Sequence, residues 1–201
     1  MEAEAVPRQK AGASFDIRET IMFDDREDAI EKYLVARERL FDVSHWGNFA
    51  GEAPDTFKLT DSLGNELKRP VQEGDRVKIH LPGPRSFIGN GEDWVQVEKI
   101  IEETNKRLDE VFTAITFRPG PNPTAVKSPI AHFFGKATTV TFLVCRHRTE
   151  IVASVHGRNE KINLDTDWMD VFRNMVVAIP AKVGLSNPHW KSLAKGLIGK
   201  R

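Results

Sequence analysis

The sequence predicts an α+β fold in which a curved antiparallel sheet of about seven strands wraps around a long C-terminal helix. Three observations predict it. Near the C-terminus, Trp168, Phe172, Met175 and Ile179 recur at i, i+4, i+7 and i+11, with Val171 and Val176 widening the stripe. That is the period of an amphipathic helix whose apolar face needs a broad platform. The chain before it reads mostly as strand, which supplies the platform. A helical pattern follows the first strand, and the remaining strands then run in succession.

In chain order, Phe15, Ile17 and Ile21 alternate with Asp16, Arg18 and Thr20 as a first strand with one buried face, with Glu19 intruding on that face. Asp24-Asp25 supplies a helix N-cap, and Glu27 and Asp28 suit the dipole behind it. Ile30, Tyr33, Leu34, Leu40 and Phe41 carry this helix to about Val43, and Ser44 to Asn48 ends it. Strands follow at Thr56–Thr60, from Gly74-Asp75 to Leu81, at Trp94–Glu103 and at Glu110–Arg118. Asp61 to Asn65 and Pro119 to Pro123 are turn-forming breaks, and a short helical turn fits Ile130–Phe134. Ala137–Arg146 and Glu150–Asn159 form a hairpin across His147-Arg148-Thr149. The long helix starts near Asp165, Pro180 and Gly184 end or kink it, and Asn187-Pro188 opens a last short helix through Leu197.

Composition narrows the function classes. The 201 residues make one domain at 14–198, preceded by a disordered tail at 1–13. Twenty-nine basic residues balance twenty-nine acidic ones, so no global field favours nucleic acid. Cys145 is the single cysteine, which excludes an internal disulfide and fits a reducing, cytoplasmic setting. No run approaches the ~18 apolar residues of a membrane span, and Met1–Gly12 lacks the apolar core of a secretory signal.

The order of strand, helix, about six strands and aromatic-faced C-terminal helix is similar to the helix-grip fold of the START and polyketide-cyclase-like (SRPBCC) superfamily. The resemblance covers roughly Ser14 to Ile198 and lies in element order, with no motif matched. The long Pro82–Asp93 loop and the Pro180 interruption depart from it, and leave a cystatin-like roll or an open β-barrel with helices as alternatives. What the resemblance implies is a cavity between sheet and helix that takes an apolar or aromatic, lipid- or polyketide-like molecule.

Candidate ligand-binding residues follow from local chemistry. His156, Arg158 and Asn159 close the last strand, where an Arg can hold an anionic group bidentately. His156 and Arg158 share a face opposite Ile151, Ala153 and Val155, so they point either to solvent or into a second layer. Arg173 sits at the edge of the helix stripe that carries Trp168 and Phe172. His45 and Trp46 pair a donor with an apolar wall after the first helix, and Trp94 follows the glycine-rich Arg85–Asp93 loop, a turn or a lid. Each aromatic among these also reads as core, and Cys145, in an apolar run, reads as a small buried hydrophobe. Six scattered histidines assemble no metal site, and neither a Gly-x-Ser-x-Gly motif nor a P-loop is present, so no cofactor is implied.

Three functions fit these features. The first is a carrier of an apolar small molecule. The second is a cyclase-, hydrolase- or isomerase-type enzyme using His45, His156, Arg158 or Arg173 in the same cavity. The third is an interaction module whose partner is another protein or a second copy in a homodimer.

Overall fold

The computed structural model describes residues 2–51, 56–80, 93–124, 137–160 and 188–200. A single helical turn, α1 (Glu2–Ala5), precedes strand β1 (Ala13–Met22) and helix α2 (Arg26–Phe41). A 3-10 turn (Val43–His45) and a short helix α3 (Trp46–Ala50) follow. Strands β2 (Phe57–Thr60), β3 (Arg76–Ile79), β4 (Asp93–Asn105), β5 (Glu110–Pro119), β6 (Thr139–His147) and β7 (Glu150–Glu160) then lead to helix α4 (Pro188–Ile198).

The strands form one antiparallel sheet in the order β1-β7-β6-β5-β4-β3-β2, so the first strand closes against the last. With α4 packed on one face, this is the α+β architecture of seven strands and a C-terminal helix that the sequence predicts. The long helix expected from Asp165 lies outside the described residues. So do the loop before Trp94 and the helical turn expected at Ile130–Phe134.

Strand parity sorts the sheet into two faces. On the inner face Ile17, Ile115, Phe142, Val144 and Val155 meet Tyr33 and Leu40 of α2 and Leu193 and Leu197 of α4. Each large apolar side chain removed from water there contributes about 2 kcal/mol. Four aromatic rings knit this core: Trp46 lies 4.6 Å from Phe142 and 5.7 Å from Phe117, and Phe142 lies 5.2 Å from Trp190. The outer face buries a smaller cluster of Phe112, Ala114, Leu143, Cys145 and Val152, with Ala5 among them.

Local chemistry explains the element ends. Asp25 caps α2 by accepting from the backbone N–H groups of Glu27 and Asp28. Glu19, the polar residue on the inner face of β1, accepts from Lys200 Nζ at 2.7 Å, so its burial is compensated by a charge beyond α4. Asp109 gathers Arg26 of α2 and Arg146 of β6 around one carboxylate, tying the helix start to two hairpin turns.

Two expectations need correction. Ser44–Asn48 does not simply end the first helix: the chain turns once and starts α3, closed by Gly51 at φ +74. Burial of Trp46 drives this turn, and five residues are too few to show a helical period. The head expected as a disordered tail instead carries α1, buries Ala5 and Val6, and is held by Asn159, whose Oδ1 accepts from Lys10 N–H at 2.6 Å. Backbone capture by an amide side chain leaves no trace in hydropathy.

Candidate ligand cleft

The inner side of the sheet opens beside β2 into a cleft of about 1040 Å3. One wall is the C-terminal end of α2 with the turn and α3 behind it, and the other is β2 with residues 66–72. Backbone bonds set the wall spacing. Val71 N–H donates to Phe41 O at 3.0 Å, and Leu67 N–H donates to Leu59 O at 2.9 Å. Ser44 Oγ accepts from Leu59 N–H at 3.4 Å.

The apolar part of the lining comes from Phe41, Phe57, Leu59, Leu67 and Val71. Most of its charged groups are paired within the protein, while Glu38 and Lys68 also line it. Arg37 grips Glu102 through two bonds of 2.5 and 3.0 Å and lies 4.9 Å over the Phe41 ring. His45 Nδ1 meets Asp42 at 2.7 Å, Lys58 meets Glu66 at 2.9 Å, and Arg69 clamps Asp75 at 2.7 and 2.8 Å. The Arg37 bond, opposed by partial burial, holds the Glu102 carboxyl below its ordinary range. Deeper in, the Tyr33 hydroxyl and Thr113 Oγ1 bond at 2.8 Å, and burial pushes the phenol up.

The bulge between Val97 and Lys99 puts Glu102 here. Val95 and Val97 face inward; the extra residue flips the parity, so Ile100 and Glu102 face inward after it. Without the bulge, strict alternation from Val95 and Val97 would turn Glu102 to the outer face. Arg37, Phe41 and Asp42 were missed as lining residues, because the α2 pattern shows which side chains face the core but not where the core opens.

The candidates from the sequence divide between locations. His45 lines the cleft and is exposed. Trp46 does not line it: at 2% exposure it is core, with Nε1 donating to Arg39 O at 3.0 Å. Trp94 is buried on the outer face. Asn159, at φ +58, is spent on the N-terminal segment. Trp168, Phe172 and Arg173 lie outside the described residues.

His156 and Arg158 share the outer face with Asp16, which pairing of β1 with β7 sets directly opposite His156. Asp16 Oδ1 receives His156 Nδ1 at 2.5 Å and Arg158 Nη2 at 2.6 Å. Burial opposes the charge on Asp16, but these two partners outweigh it and hold the carboxyl below its ordinary value. His156 Nε2 lies 2.8 Å from Ser154 Oγ, which completes the connectivity of a serine–histidine–aspartate relay. Ser154 is 1% exposed, and the strand N–H groups around it are committed to ladder bonds, so no substrate carbonyl reaches it and no donors await an oxyanion. The relay fixes His156 in place. The sheet separates it from His45, so the shared acid/base cavity expected for His45, His156 and Arg158 does not form.

No protein-family model matches the chain, and no curated protein matches it in sequence. Among solved structures, truncated norcoclaurine synthase from Thalictrum flavum is similar over 96% of this chain and 96% of its own, at 9% identity and a TM-score of 0.42. The major latex-like protein 151 of Panax ginseng is similar over 94% and 97%, at 10% identity and a TM-score of 0.33. Likenesses this low decide nothing about ligand or activity. Among the described residues no group of three or more His, Cys, Asp or Glu side chains is placed to hold a metal, and no helix is long and apolar enough to cross a membrane.

Proposed function

We propose that the protein is a helix-grip carrier of the START and polyketide-cyclase type that binds a neutral aromatic or otherwise apolar small molecule in this cleft. The observation that carries the reading is the lining: apolar side chains together with charged groups most of whose partners lie within the protein itself. A pocket with most of its charges paired offers less to a charged ligand than to a flat, uncharged one. His45, Asn48 and Gln72 supply polar contacts at the rim. The cleft lies between α2 and β2 and no residue of α4 lines it, so it is a different place from the cavity expected against the long helix from Asp165, which lies outside the described residues. Separation of His45 from His156 favours a carrier over a catalyst.

The test is fluorescence titration with N-phenylnaphthylamine, a neutral aromatic probe that brightens on leaving water. Wild-type protein should bind it saturably. Phe41→Ser, which removes the half-buried ring, should weaken binding about tenfold. His156→Gln, on the opposite face, should bind like wild type. Equal binding by Phe41→Ser, or no saturable binding at all, would remove the cleft from consideration.

A further inference from the structure

The outer face of β3 and β4 carries polar groups that the cleft does not use. Val77 and Val95 pair across β3 and β4 and point inward. Their neighbours Arg76, Lys78, Trp94 and Gln96 therefore point outward. Arg76 stands opposite Gln96, Lys78 opposite Trp94, and Lys58 of β2 opposite Lys78. Lys58 is already paired with Glu66 at the cleft, so it adds no free charge to this face.

Two donors in this patch are buried without an acceptor: Nε of Arg76 and the indole Nε1 of Trp94. Trp94 is 7% exposed. The segment after β5 closes against both residues. Arg76 Nη1 donates to Pro121 O at 2.6 Å, and Gly120 N–H donates to Trp94 O at 2.9 Å. The far edge of the indole reaches the turn at Gly64, where an added Cβ would meet its Cη2 at 3.8 Å. The ring thus spans from β4 toward the end of β2, over the strand that carries Arg76.

Buried N–H groups in folded proteins are almost always paired, and an orphan marks an acceptor not yet in view. Here two orphans sit on adjacent strands of one face. With Nη1 committed to Pro121, Nε lies on the guanidinium edge it shares with Nη2, and that edge matches two oxygens of a carboxylate or phosphate. We propose that Arg76 and Trp94 form a binding site for an oxyanion: the carboxylate or phosphate group of a small molecule. The indole N–H and the Arg76 Nε–H donate to its oxygens, and the guanidinium charge offsets its own. The site lies on the face opposite the cleft and stands or falls separately from it.

The test is the indole N–H region of a proton–nitrogen correlation spectrum of the full chain, titrated with inorganic phosphate and, separately, with acetate. Four tryptophans give four indole signals, and Trp94→Phe identifies that of Trp94 while keeping a ring in place. The Trp94 signal should shift saturably with one of the two anions. A response to phosphate alone names a phosphate ligand, and a response to acetate alone names a carboxylate. Arg76→Lys keeps the charge but loses the planar edge, and should weaken the response about tenfold. A Trp94 signal that ignores both anions and shows magnetisation exchange with water would overturn the proposal, because water is then the acceptor. An anion response of equal strength in Arg76→Lys and Arg76→Gln would overturn it as well.

Discussion

Replacing Gly196 with alanine should cost stability, although alanine is the better helix former. Gly196 lies in α4 where that helix crosses α3, and a Cβ there would sit 1.9 Å from Phe49 O and 2.4 Å from Phe49 C. These are backbone atoms, so no side-chain rotation relieves the overlap. The two helices would have to separate by about 1 Å to restore an ordinary contact. The crossing is also held by Arg39 Nη1, which donates to Gly196 O at 2.7 Å, and Arg39 O in turn accepts from Trp46 Nε1. Overpacking of this kind costs about 3 kcal/mol at its upper end, and alanine returns about 1 kcal/mol of helix propensity. The net loss is about 2 kcal/mol, or a melting temperature about 4–8 °C lower for a chain of this size. Urea unfolding followed by tryptophan fluorescence measures it. Because α3 forms one wall of the cleft, the same variant should bind N-phenylnaphthylamine more weakly. An unchanged or higher melting temperature would refute the packing argument, since it would mean that propensity alone had acted.

Two further outcomes follow from the electrostatics. Tyr33 is the single tyrosine, so ultraviolet titration reports it alone. Burial raises its phenol, so the folded protein should titrate above 10.0 and the denatured chain at the ordinary value; coincident curves would place the hydroxyl in solvent. The stabilisation linked to this neutral phenol is lost as pH rises past 10.0. At the acid end, Asp16, Glu102 and Asp109 are all depressed in the folded state, Asp109 well below the usual carboxylate range through Arg26 and then Arg146. A depressed carboxyl contributes stability above its unfolded value and loses it as pH falls, so denaturation midpoints should drop below about pH 5. Asp109→Asn should lower stability at neutral pH, because buried Arg146 loses its carboxylate, and should flatten the acid decline. An acid profile identical to wild type would show that the Asp109 cluster is not coupled to folding.

The fold was legible where one face of an element is dry. Alternation marked β1, β-branched and apolar content marked β6 with β7 across its turn, Asp25 marked the start of α2, and Asn187-Pro188 marked the start of α4. Apolar burial also told the truth about Cys145 and the core side of Trp46. The cleft was less legible, for three physical reasons. Glu102 turns inward through a bulge, and a single extra residue reverses parity without altering composition. Asp16 meets His156 through strand pairing 140 residues apart, which local pattern cannot encode. Arg37 and Phe41 reveal their role only when residues 66–72 are laid beside the end of α2, by backbone bonds that any sequence can make.

The most direct test of the central claim is chemical-shift mapping of N-phenylnaphthylamine on the isotope-labelled protein. Ligand binding in the cleft predicts perturbations centred on Phe41, Ser44, Asn48, Leu67 and Gln72, with Ser154 and His156 on the outer face unmoved. Perturbations gathered on the outer face, or none at saturating probe, would contradict it.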